Sequence, residues 1–135
     1  MKLIVPFNEI KNIIDEKVNQ PISFEFVNEH TLRVSYELNL YITKQTLGAN
    51  LEIKGISGSD LYLGYPSNTD QMMVGTALKM VGSKIPEGLL EEKEGGNLIL
   101  HLDKIEQMKQ VFEKIDIQKI LVLNEGIDIE GQLKL

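Results

Sequence analysis

The stretch TDQMMVGTALKMVGSKI, residues 69–85, decides how the rest of the chain is arranged. Its apolar side chains fill an arc of roughly 160° on a helical wheel, which is wide enough for a buried helix face. Turn and N-cap residues at 66–70 precede the arc and Pro86 follows it, so the sequence predicts a helix over about 70–85. Gly75 and Gly82 lie at the edge of the arc, where each costs about 1 kcal/mol relative to alanine. We therefore expect another backbone to approach the helix closely at these two glycines.

Strands are predicted on both sides of this helix. Residues 32–42 alternate strictly between apolar and polar side chains, which is typical of an antiparallel strand with one buried face. Residues 47–65 continue the alternation, but one straight strand of that length would span roughly 63 Å. A domain of this size is only about 35–40 Å across. The chain must therefore turn near Gly55 and Gly58, and a hairpin and a sharply bent strand both satisfy this requirement.

Two amphipathic helices are predicted in addition, at about 8–19 and about 103–115. Asn8 can cap the first of them, and Asp103 with Glu106 forms a capping-box-like start to the second. Residues 117–135 alternate again around a turn at 124–126 and so predict a closing hairpin. The predicted fold is a single α+β domain over residues 1–135, in which a curved antiparallel sheet wraps around the central apolar helix of residues 70–85.

Composition and charge restrict the classes of function. The chain has 14 basic and 20 acidic residues among its 135, for a formal net charge of −6, and Arg33 is its one arginine. Binding of a nucleic-acid phosphate backbone needs a local excess of Lys and Arg. The sequence has no such excess, so no nucleic-acid partner is expected. The absence of cysteine excludes disulfides, thiolate catalysis and Cys-ligated metal clusters. Neither a transmembrane segment nor a cofactor is expected, because the sequence has no apolar run of membrane-spanning length and no cofactor fingerprint.

The N-terminal stretch MKLIVPF bears on localisation. Its apolar run is too short for the core of a signal peptide. A complete chain is therefore expected to be cytoplasmic, whereas a chain from which a leader had been removed would be exported.

His30 and His101 are the candidate bases for catalysis. His30 lies in a predicted turn, and His101 lies on the wet face of a predicted strand, where Asp103 could orient it. A solvated strand histidine followed by a helix cap explains His101 and Asp103 more simply. We therefore expect a protein that is not an enzyme.

Clustered carboxylates are the remaining candidates for acid–base or metal chemistry. Glu91, Glu92 and Glu94 surround a predicted hairpin tip, and Asp128 and Glu130 alternate on one predicted wet strand face. Acid–base catalysis needs carboxyl groups whose pKa values are pushed apart by burial or by neighbours. Carboxylates predicted to be this exposed are more often solubility charges, so neither catalytic nor metal-binding residues are expected here.

The order of predicted elements resembles that of the YceB-like lipoproteins, which belong with the tubular lipid-binding (TULIP-like) proteins. The corresponding stretches are PFNEIKNIIDEKV, LEIKGISGSDLYL, the helix of residues 72–85, and KIEQMKQVFEKIDI with EGIDIEG. The resemblance is one of hydrophobic pattern over most of the chain, and no lipobox cysteine is present. It implies a groove between helix and sheet that accepts a lipid tail or another apolar ligand.

The first functional hypothesis is a non-enzymatic binding module that holds a lipid-like or other apolar molecule between the helix and the curved sheet. Methionine is unbranched and adaptable, which suits a surface that accepts apolar ligands. The residues expected to line the groove are Met72, Met73, Met80, Leu38 and Leu63.

The alternative hypothesis is a protein-interaction or structural domain with a filled core and no ligand. Such a domain would pair with a protein partner, or with a second copy of itself, through a sheet edge or through the face that carries Tyr41.

Overall fold

The structure, a computed structural model, describes residues 1–18, 22–39 and 42–134. Within these ranges the chain forms three α-helices, α1 (Phe7–Val18), α2 (Asn68–Val81) and α3 (Glu106–Lys114). The same ranges hold nine strands: β1 (Lys2–Pro6), β2 (Ile22–Asn28), β3 (Thr31–Asn39), β4 (Lys44–Ser57), β5 (Asp60–Gly64), β6 (Leu90–Lys93), β7 (Asn97–His101), β8 (Ile115–Val122) and β9 (Gly126–Leu133). The predicted α+β class, with antiparallel sheet and helices, is confirmed.

The described strands form two open antiparallel sheets. The large sheet has the order β2-β3-β4-β5-β7-β6, and the small sheet has the order β1-β9-β8. The chain enters the small sheet with β1 and returns to it with β8 and β9, so this sheet joins the two ends of the sequence.

One face of the large sheet forms the core together with α2 and the small sheet. Its buried cluster contains Leu32, Ile53 and Leu63 of the large sheet with Val122 of β8, and Val74 of α2 packs against it. A helix is about 10 Å across, whereas six strands at their usual spacing are about 24 Å wide. A single helix therefore cannot cover this face, and the small sheet covers the part that α2 leaves.

The segment around Gly55 and Gly58 is a hairpin and not a single bent strand. Strand β4 pairs with β5 through a tight turn at Gly58, whose φ of 61° lies in the left-handed region that favours glycine. A bulge between Ile53 and Gly55 adds a local bend to β4. The hairpin keeps the alternation in register, so the apolar face continues from β4 onto β5.

Helix α2 is fixed at its start by two hydrogen bonds. The Ser67 hydroxyl accepts from the Asp70 N–H at 3.0 Å, and the Asp70 carboxylate accepts from the Asn50 N–H of β4 at 3.3 Å. Strand β5 pairs with β4 only from Glu52 onward, so Asn50 lies in the part of β4 that extends beyond β5. The second bond holds the helix against this part of β4. The α-helix ends at Val81, and residues Gly82–Lys84 form a 3-10 turn in place of the last predicted turn of α-helix.

Gly75 of α2 and Gly82 of the 3-10 turn that follows it do not receive a neighbouring backbone. Apart from the adjacent residues and the backbone of the same helix, no heavy atom of the described residues lies within 4 Å of the position that a Cβ would occupy at Gly75 or at Gly82. The prediction of a close backbone approach at these positions is therefore wrong, and the space beside them is open.

We expect Gly75→Ala to raise the free energy of unfolding by about 1 kcal/mol. The added methyl group meets open space, and alanine loses less backbone entropy than glycine when a helix forms. Urea denaturation followed by circular dichroism measures the change. Gly58→Ala is the control, since a Cβ there also meets open space but the φ of 61° strains an alanine, so this variant is expected to be less stable. A destabilised Gly75→Ala protein would contradict the prediction.

Candidate functional site

An apolar cleft of about 170 Å³ lies between α2 and the large sheet; we call it the α2 cleft. Its lining is contributed by α2 and by strands β3, β4 and β7, and consists of Val34, Tyr36, Leu47, Gly48, Ala49, Leu51, Met73, Val74, Ala77, Leu78 and Leu98. Pairing of Val34 with Ala49 and of Tyr36 with Leu47 places these side chains on the same sheet face. Ala49 on the sheet and Ala77 on the helix carry only methyl groups, which leaves the space open.

A hydrogen bond joins the sheet wall of this cleft to the helix. The Tyr36 hydroxyl donates to the Met80 sulfur at 3.0 Å. Burial raises the pKa of Tyr36 above its ordinary value, so the hydroxyl keeps its proton at neutral pH. The contact fixes the phenol ring as part of the wall, whereas Met80 itself is 44% exposed.

The structure brings only part of the predicted groove together. Met73 lines the α2 cleft, and Met80 touches its wall through Tyr36. Met72 is 62% exposed and points away, since successive helix residues are turned by about 100°. Leu63 is not among the lining residues of the cleft, and it lies in the buried cluster around Val122. Leu38 lies in β3, and its side chain is outside what the structure describes.

The strand residues of the cleft were not predicted as a site. Alternation along 32–42 does indicate that Val34 and Tyr36 share one buried face. It does not indicate which part of that face lies beneath α2, because this depends on the pairing of β3 with β4 and on the Asn50–Asp70 hydrogen bond.

A second cleft of about 300 Å³ adjoins the first, and Leu78 and Leu98 line both. We call it the acidic cleft because Glu87 and Glu92 are its charged lining residues. Glu92 pairs with Leu98 across β6 and β7 and therefore shares its face, whereas Glu91 pairs with Ile99 on the opposite face. The glutamates that the sequence groups at one hairpin tip thus belong to two different surfaces.

A third cleft, of about 460 Å³, lies between the β4–β5 turn and α3. Its charged lining residues are of both signs, namely Asp103, Lys109, Glu113, Asp116 and Lys134. The Lys134 ammonium already donates to the Phe112 carbonyl oxygen. This mixture of charges favours no particular class of ligand.

His101 lies on the open face of the large sheet, opposite α2. Its Nδ1 is 2.6 Å from the Asp60 carboxylate and its Nε2 is 3.2 Å from the Glu91 carboxylate. Lys93 lies 2.8 Å from the other oxygen of Glu91. The orienting partner is therefore Asp60, which is paired with His101 across β5 and β7, and not the predicted Asp103. Because both ring nitrogens are occupied by carboxylates, the geometry does not leave one free to take a proton from a substrate.

These contacts shift two pKa values. Hydrogen bonds to Asp60 and then to Glu91 raise the pKa of His101 above 6.5. Hydrogen bonds from Lys93 and then from His101 lower the pKa of Glu91 below 4.5. The contribution of His101 to the stability of the fold is fully present below the pKa of histidine in the unfolded chain. It is lost as the pH rises through the higher pKa that His101 has in the folded protein. The glutamate contribution is lost as the pH falls through its lowered value, so the cluster stabilises the fold most between about pH 4.5 and 6.5.

We expect His101→Gln to lower the melting temperature more at about pH 6 than at about pH 9, because only the protonated ring attracts both carboxylates. Thermal melts at several pH values measure the difference between variant and wild type. His30→Gln is the control, since His30 is an exposed turn residue. A His101→Gln effect that is the same at every pH would contradict the role of the imidazolium.

Asp128 is buried, contrary to its predicted place on a wet strand face. It is only 3% exposed, and Lys2 approaches its carboxylate at 3.5 Å. Its Oδ1 has no hydrogen-bond partner among the described residues. The α2 cleft, the acidic cleft and the cleft beside α3 are all lined by other residues, so the burial of Asp128 does not by itself indicate a binding site.

Comparison with known proteins adds no relative: no protein-family model, no curated protein and no solved structure matches the chain significantly. The resemblance to tubular lipid-binding proteins therefore stays a prediction. None of the described helices has the length and apolar content needed to cross a membrane. Within the same described ranges, no cluster of three or more His, Asp or Glu side chains is arranged to hold a metal ion.

Proposed function

We propose that this protein is a binding module that takes an apolar group into the α2 cleft. The observation that carries the proposal is the cleft itself, an almost wholly apolar space of about 170 Å³ between helix and sheet. An apolar protein cavity of about 150 Å³ binds benzene. The α2 cleft is therefore large enough for a group of about six carbons.

The size of the cleft also limits the ligand. Sites that enclose a drug-sized molecule have volumes of about 300–1,000 Å³, so this cleft accepts the end of an acyl chain or one ring and leaves the remainder of the molecule outside. Met73 and Met80 are flexible and adapt their shape to the group that enters. The proposal thus differs from a groove that encloses a whole lipid.

Methionine methyl NMR with 1-octanol as the probe tests the proposal. The Met73 methyl signal is expected to shift because it lines the cleft, whereas the signal of Met72, which is 62% exposed, is expected to stay in place. Ala77→Leu fills the cleft from the helix side and is expected to weaken binding by at least about tenfold.

Thr76→Leu is the matched control, since Thr76 is on the exposed side of α2 and does not line the cleft. Equal octanol binding by wild type and Ala77→Leu would show that the alcohol binds elsewhere. An unshifted Met73 signal at saturating octanol would overturn the proposed function.

A protein-interaction role is the second candidate, because β1 is an edge strand of the small sheet with apolar side chains in solvent. Leu3 is 50% exposed and Ile4 is 44% exposed, on opposite faces of the strand. An exposed apolar edge is suited to pairing with another strand. The Tyr41 face, the other predicted contact surface, lies outside the described residues.

Light scattering of concentrated protein tests this second candidate. We expect a dimer that Ile4→Lys converts to monomer, because a charge on an edge strand opposes pairing. The control Gln118→Lys places the same charge on an exposed position of β8 and should leave the dimer intact. A wild-type protein that is monomeric throughout would remove this candidate.

A further inference from the structure

The two adjoining clefts together define the chemistry of the ligand more closely than the α2 cleft does alone. We infer that the ligand joins its apolar group to a positively charged group, as in an alkylammonium ion, and that the charged group lies in the acidic cleft. This inference rests on the proposed function, because it describes the other end of the same ligand.

The position of the acidic cleft is the first support. Leu78 of α2 and Leu98 of β7 line both clefts, so the clefts adjoin at these two side chains, and we place the part of the ligand beyond about six carbons in the acidic cleft. Ile85 and Leu90 line the acidic cleft as well and provide apolar contact for that continuation.

The charge of the acidic cleft is the second support. Glu87 and Glu92 line it, and its described lining includes no lysine, arginine or histidine. Among the described residues neither carboxylate has an ion-pair partner, in contrast to Glu91 on the opposite face, which is bonded to Lys93 and His101. The Lys104 side chain lies 3.7 Å from the position that a Cβ would occupy at the lining residue Gly88, but it forms no ion pair with either glutamate, so a cation in this cleft would supply a counter-charge that both carboxylates lack.

The direction of Glu92 is the third support. Burial and then the charge of Glu92 raise the pKa of Tyr65, a residue of the buried cluster. Glu92 pairs with Leu98 across β6 and β7, so its exposed carboxylate lies on the sheet face that carries both clefts. An anionic headgroup such as a fatty-acid carboxylate would be repelled at this place.

Isothermal titration with three ten-carbon probes tests the inference at low salt and below their micellar concentrations. The probes are decylammonium, 1-decanol and decanoate, which share the chain and differ in the charge of the head. We expect decylammonium to bind about tenfold more tightly than decanoate, with decanol between them, since two exposed carboxylates give a modest attraction. Added salt is expected to reduce this preference.

Two double variants separate the cleft from the net charge of the protein. Glu87→Gln/Glu92→Gln is expected to reduce the preference for decylammonium to about twofold. Glu94→Gln/Glu125→Gln removes the same charge at exposed positions outside both clefts and should keep the full preference. An equal loss of preference in both double variants would overturn the inference.

The outcomes distinguish this inference from the proposed function. Binding of decanol with a shifted Met73 signal, but no tighter binding of decylammonium than of decanoate, would overturn the cationic headgroup and leave the apolar site standing. Failure of all three probes to bind would overturn the proposed function and the inference with it.

Discussion

Gly126→Ala is expected to lower the free energy of unfolding by about 3 kcal/mol. Gly126 pairs with Pro6 where β9 meets β1, and a Cβ at this position would overlap the Val5 carbonyl oxygen and lie 2.8 Å from the Pro6 Cα. These are backbone atoms, so no side-chain rotation relieves the overlap. Moving them apart would break the β1–β9 pairing and the hydrogen bond from the Phe7 N–H to the Glu125 carbonyl, which has a length of 3.0 Å.

Urea denaturation measures the loss, and Gly75→Ala is the matched control. The chemical change is the same in both variants, but Gly75 lies in a helix beside open space, so the two variants should change stability in opposite directions. Amide hydrogen exchange adds a local readout, since Gly126→Ala should expose the β1 and β9 amides first. A Gly126→Ala protein as stable as wild type would show that Pro6 of β1 does not lie opposite Gly126 of β9.

Val122→Asp is expected to cost about 4 kcal/mol or more, which approaches the whole stability of an ordinary domain. Val122 is 1% exposed and packs between the two sheets, beside Ile53 and Leu63. Its N–H donates to the Glu29 carbonyl oxygen at 2.8 Å, so the backbone at this point is bonded to the turn that joins β2 and β3 of the large sheet. A carboxylate here would be an unpaired charge in an apolar contact.

Circular dichroism of the purified variant at about pH 7 shows whether it folds. The control is Gln118→Asp, which adds the same side chain to an exposed position of β8 and should be within about 0.5 kcal/mol of wild type. Val122→Ala tests the packing without the charge and is expected to cost about 2 kcal/mol through lost contact and cavity formation. A folded Val122→Asp protein with wild-type stability would contradict the contact between the sheets.

The cation preference and the pH dependence concern opposite faces of the same short strand. Successive side chains of β6 lie on opposite faces of the sheet, so Glu92 lies on the face with the clefts and Glu91 lies beside the imidazole of His101. His101→Gln should therefore change the pH dependence of stability and leave the preference for decylammonium unaltered. The two glutamates can in this way be tested separately although they are adjacent in sequence.

The sequence by itself determined the local elements of this protein. The apolar arc and the capping residues predicted α2 because both depend on neighbours within a few positions, and the observed helix, Asn68–Val81, differs from the predicted 70–85 mainly in its last turn. The alternation of residues 32–42 likewise predicted that Val34 and Tyr36 share one face, since a strand repeats every two residues. These two features supply the helix wall and the sheet wall of the α2 cleft.

Only the tertiary structure decided what each element meets. Residues 2–6 show no alternation, and they form a strand because β9 pairs with them from the other end of the chain. The alternation along β9 predicts that Asp128 is exposed, but it is buried. His101 contacts Asp60 of the neighbouring strand and not the predicted Asp103. Strand pairing joins residues that are far apart in sequence, so the periodicity that orients a side chain does not determine its partner.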